Sequence, residues 1–250
     1  MTEAEWLLCT EPREMLREVQ GKISSRKLRL FVCACCRKNQ WLMSLPGGAE
    51  TIQAAEAAAD GTLELSTVGK SVTDLLARSR QNPDYDDELA ALPLLLGVAD
   101  ADEVAHRVTS IIDGSGLNSA TRRWCVDALR CLAGCPFPHS LPEPATFSSR
   151  LAKATAGLVH LLASHPLRQP TKSGRAEAPV PHAAPSWLTS SVSALARQMY
   201  ESHDFSAMPI LADALQDVGC NAETILNHCR DVGTPHVRGC WVVDLVLGKV

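Results

Sequence analysis

Aromatic side chains are scarce in this sequence: five Trp, two Tyr and four Phe amount to 4% of 250 residues. So thin a supply disfavours β-sandwiches and barrels, whose strands draw on aromatic and β-branched residues. Long apolar runs are also missing, none approaching the roughly 20 residues that span a bilayer. There is little excess charge of either sign. A formal net charge of -4 and a pI near 6.1 exert no global pull toward nucleic acid or an anionic membrane surface. Catalytic signatures are lacking as well, with no Ser-His-Asp signature, no paired-carboxylate motif and no dinucleotide glycine pattern. Gly69-Lys70-Ser71 invites a phosphate-loop reading, but Glu64 stands five residues before Gly69 where that loop needs glycine. It reads instead as a turn flanking a helix. The first residues, MTEAEWLLCTEPREML, are acidic and amphipathic rather than basic and then apolar, so a cytoplasmic protein is expected.

What is present is Ala, Leu and helix punctuation, with 46% hydrophobic residues. The expected fold class is all-α, a multi-helix bundle or irregular helical array, with the last segment open to a strand reading at Trp241-Val242-Val243. Thr2 opens a helix over 2–8, Thr10 caps a second that carries Pro12, and Ser24 or Ser25 caps a long third through Met43. That third helix carries Arg26, Lys27, Arg29, Arg37 and Lys38, read as a solvated flank rather than a nucleic-acid stripe. Further helices are expected over 50–60, 100–113, 118–132, 148–164 and 187–200, with a shorter one after the acidic loop 82–88. Ser206 caps one toward Gly219, Asn221 another toward Gly233, and Thr234-Pro235 starts a last helix reaching about Leu247. Five prolines between His165 and Ser186 mark a mobile, protease-sensitive connector. The expected organisation is a 1–165 N-terminal helical region, a 166–186 linker and a 187–250 C-terminal unit packed on the first.

Three stretches, MTEAEWL at 1–7, RKLRLFVCACCR at 26–37 and nearly everything from PILADALQDVGC through HVRGCWVVDLVLGK, resemble a bacterial family abundant in planctomycetes. The resemblance covers both ends, roughly half the chain, and implies no activity, cofactor or catalytic residue. The middle departs from the family pattern at Cys135-Pro136-Phe137-Pro138, where Asn more often precedes Pro-Phe and Arg follows it.

Ten cysteines and eight histidines carry what chemistry there is. Cys33 and Cys36, three apart on a helix, and His236 and Cys240, four apart at the start of the last helix, would each project to one side. If those faces met, three thiolates and one imidazole would form a closed tetrahedral zinc site, with His228 and Cys229 able to substitute for either pair. Cys125, Cys131 and Cys135 resemble another ligand set, though small apolar core filling suits them better. A cysteine hydrolase would need Cys229 or Cys240 within reach of His228 or His236, and His228 cannot readily serve its own neighbour on a helix. By exclusion the expected function is a non-catalytic helical module that binds another protein or regulates one. A structural zinc protein is the first alternative and the hydrolase the second.

Overall fold

The computed structural model describes residues 1–80, 119–134, 136 and 187–249, and every regular element among them is a helix. In chain order these are α1 (Glu3–Leu8), α2 (Pro12–Val19), α3 (Ser25–Lys38), α4 (Gln40–Ser44), α5 (Gly48–Ala59), α6 (Leu65–Ser79), α7 (Ser119–Ala133), α8 (Ser190–Ser202), α9 (Met208–Asp217), α10 (Glu223–Arg230) and α11 (Trp241–Leu247). The all-α class holds, and the strand alternative for the closing segment gives way to α11. The helices expected within 82–113 and 148–164, the connector 166–186 and Cys135 lie outside the described residues. No described helix is long and apolar enough to cross a membrane.

Local side-chain chemistry starts several helices where expected. Thr2 and Glu5 form a reciprocal capping box, Oγ1 accepting from the Glu5 N–H at 3.3 Å and the Glu5 carboxylate accepting from the Thr2 N–H at 2.7 Å. Ser24 caps α3, while Thr189 caps α8, which starts at Ser190 rather than at Trp187. Elsewhere the start shifts. The N-caps of α2, α9 and α10 are Glu11, Ala207 and Ala222, none with a side-chain cap bond, rather than Thr10, Ser206 and Asn221. The single helix expected from Ser24 to Met43 is two, because Asn39 takes extended backbone and its Oδ1 accepts from the Leu42 N–H at 3.2 Å. A short amide that satisfies backbone donors locally competes with helix continuation. Gly69-Lys70-Ser71 lies inside α6 rather than in a flanking turn.

Helix α3 is central. It packs against α5 on one side and α7 on the other, and α7 also meets α2 and α11. The C-terminal helices close the other flank, α8 against α9 and α11, and α9 against α10. Leu30, Phe31, Cys36, Leu129, Leu132, Val242 and Val243 are all buried in this shared core.

Buried charge joins the two ends of the chain. Asp244, 1% exposed, accepts from Arg26 at 2.7 and 3.0 Å, and Arg26 Nε also donates to Asp60 at 2.9 Å. Asp60 further accepts from the Tyr200 hydroxyl at 2.7 Å and from Arg238 at 2.8 Å. Glu56 takes a two-pronged Arg37 guanidinium at 2.7 and 2.9 Å and lies 2.7 Å from His203 Nε2. Burial alone would raise the Glu56 and Asp60 carboxyls, but hydrogen bonds from Arg37 and His203, and from Tyr200, Arg238 and Arg26, hold both below the usual range. The solvated-flank reading of the α3 cations therefore fails for Arg26, Lys27 and Arg37. Lys27 bridges chain segments instead, donating to the carbonyls of Leu132 at 2.7 Å and Gly239 at 3.2 Å.

Candidate metal centre

The last turn of α7, the last turn of α10 and the loop before α11 converge on one point. Residues 231–240 are not helical, so α11 starts at Trp241 and not at Thr234-Pro235. Asp231 orders the start of this loop, accepting from the Gly233 N–H at 3.0 Å and the Thr234 hydroxyl at 2.6 Å. A tight turn follows, the Cys240 N–H donating to the Val237 carbonyl at 2.9 Å, with Gly239 at φ +90°. That conformation is one that L side chains avoid. A Cβ on Gly239 would also lie 2.7 Å from Leu132 Cδ2 and 2.8 Å from Leu30 Cδ1. Gly239→Ala is expected to cost at least about 1–2 kcal/mol from backbone strain alone. A denaturant midpoint that does not move would contradict this.

This turn delivers Cys240 beside His228 and places His236 near Cys131. His228 Nε2 lies 3.2 Å from Cys240 Sγ, and His236 Nδ1 lies 3.8 Å from Cys131 Sγ. The two imidazoles meet edge to face at 4.9 Å, and Trp241 leans on His228 at 5.3 Å. One donor atom from each of Cys131, His228, His236 and Cys240 lies within 4.8 Å of all the others. Ligands at about 2.0–2.3 Å from a tetrahedral zinc stand roughly 3.3–3.8 Å apart, so a small contraction would complete the shell.

The electrostatics suit a cation. Burial pushes both thiols up, but Cys240 is held well below its ordinary range by a hydrogen bond from Cys131 and by the charge and hydrogen bond of His228. Cys131 is correspondingly raised, by burial and by Cys240. The direction of the Cys240 shift favours thiolate, the form that ligates metal. His236 Nε2 is buried with no hydrogen-bond partner.

Of the residues read from the sequence as a site, His236 and Cys240 come together and Cys33 and Cys36 are not in the group. Both latter thiols are buried on α3. Burial and Glu56 push Cys33 up, and burial pushes Cys36 up to about 12. The places given to them are taken by Cys131 and His228. His228 was legible as a substitute, whereas Cys131 read as core filler. His236 and Cys240 are neighbours because of the turn at Gly239, not because of helical spacing.

Chemically the group is closed. His228 is within reach of Cys240, which a cysteine nucleophile requires, while Cys229 is buried with its thiol raised. Yet Cys131 and Cys240 are both 0% exposed. Two clefts of about 260 and 200 Å³ flank the centre, and His236 lines both while neither thiol lines either. No protein-family model, curated protein or solved structure matches this chain.

Proposed function

We propose that the chain is a non-catalytic helical module whose C-terminal segment is stapled to the rest of the fold by one structural zinc ion at Cys131, His228, His236 and Cys240. The observation that carries this reading is the convergence of four donor atoms within 4.8 Å from three separate chain segments. Two soft thiolates and two imidazoles in a compact shell suit zinc over the oxygen-seeking cations. Burial of both thiols favours a structural ion over a catalytic one, since catalytic zinc keeps a position open to substrate. The same burial weighs against a cysteine hydrolase despite the 3.2 Å contact. The task proposed for the module is recognition of another protein.

The test is elemental analysis of protein purified without added metal. One equivalent of zinc per chain is the expected result. Protein that carries no zinc as purified would contradict the proposal.

A further inference from the structure

We infer that Lys27 is a positioning residue for the metal centre: its ammonium ties together the two chain segments that carry the thiol ligands, Cys131 and Cys240. The inference rests on the zinc reading of the four-residue group. It goes further by naming what holds two of the ligands in place from outside their own shell.

The Ser24 cap puts Lys27 in the first turn of α3, and from there its Nζ donates to the Leu132 carbonyl at 2.7 Å and to the Gly239 carbonyl at 3.2 Å. Leu132 is the residue after Cys131, and Gly239 is the residue before Cys240. One side chain thus fixes the backbone beside both thiols. Leu132 lies in the last turn of α7, where a carbonyl has no intrahelical N–H to accept from and a cation also suits the helix dipole. Gly239 is the residue at φ +90° whose turn presents Cys240. The ammonium is itself held by Asp244, whose Oδ2 lies 3.3 Å from Nζ, and the Lys27 side chain is only 14% exposed. Its three donors therefore have oxygens to meet on α7, on the turn and on α11.

The affinity of a metal site depends on the cost of gathering its ligands, which here come from segments far apart in the chain and include two thiolates that repel each other without an ion between them. Ties already made in the folded chain lower that cost. Supports of this kind around a ligand shell contribute about 10–100-fold in metal affinity. Arg37 supplies the contrast, because it too leaves α3 to clamp a buried carboxylate, Glu56, but on α5, which carries no ligand.

The test compares full-length wild type, Lys27→Met and Arg37→Met by zinc titration against a chelating indicator and by the visible spectra of their cobalt forms. Both variants are expected to lose stability in denaturant. Only Lys27→Met is expected to bind zinc at least about tenfold more weakly. Its cobalt bands, which report ligand geometry, are expected to move from those of wild type, while those of Arg37→Met superimpose on them. Lys27→Gln, which is shorter but keeps N–H donors, serves the same comparison if Lys27→Met does not fold. Zinc affinity equal to wild type, an equal loss in Arg37→Met, or unmoved cobalt bands would each overturn the role given to Lys27 and leave the metal centre standing. A wild type that takes up no zinc would instead strike the centre itself, and this inference with it.

Discussion

Asp244→Ala is expected to destabilise the fold by about 3 kcal/mol, the range for removing one partner of a buried ion pair. The carboxylate is 1% exposed and takes two Arg26 hydrogen bonds, with Lys27 Nζ a further 3.3 Å away. Deleting it leaves Arg26, whose side chain is 12% exposed, sharing Asp60 with Arg238 and Lys249. The loss is therefore mostly the desolvation of a guanidinium left with one shared partner, not the worth of the Arg26–Asp244 pair itself. That distinction is measurable. In the double variant Arg26→Met with Asp244→Leu, both charges are gone, and the total loss is expected to fall well short of the sum of the single changes. Denaturant midpoints at constant slope report both quantities. A single-variant cost under about 1 kcal/mol, the range of exposed pairs, would show that α3 and α11 are not clamped by buried charge.

The second large effect is expected from metal removal. An ion that binds only the folded chain stabilises it by about 4 kcal/mol when its free concentration is a thousand times Kd. Stripping zinc with a chelator should lower the melting temperature by roughly 10 °C, at about 2–4 °C per kcal/mol for a chain of this size. Cys240→Ala should lower it comparably, and chelator should then do nothing more. This non-additivity separates ligation from packing. Were Cys240 only a small buried side chain, the chelator would leave the wild type unmoved and the variant would lose only a modest packing contribution.

Much of the helical framework was legible because it is written locally. The Thr2–Glu5 capping box, the Ser24 and Thr189 caps, and the burial of Met15, Leu16 and Val19 each follow from residues within one or two turns. The misplaced starts at Thr10, Ser206 and Asn221 are shifts of one residue, and the true caps Glu11, Ala207 and Ala222 make no side-chain cap bond that a cap rule could read. Two features escaped for a different reason. Thr234-Pro235 has the chemistry of a helix start, but Gly239 at φ +90° lets the chain turn sharply between Leu30 and Leu132, postponing the helix to Trp241. That turn depends on contacts with α3 and α7, more than a hundred residues away in the chain. The pairing of Cys131 with His236, 105 residues apart, is equally non-local. Nor does a charge pattern reveal depth: Arg26 and Lys38 lie on the same helix, yet one clamps Asp244 in the interior and the other stands at the rim of a cleft.

The zinc content of two double variants, measured side by side with the wild type, tests the assignment of the four ligands most directly. Cys33→Ala with Cys36→Ala should keep one zinc per chain, whereas Cys131→Ala with Cys240→Ala should keep none. The reverse pattern, or full zinc in both, would contradict a centre built from Cys131, His228, His236 and Cys240.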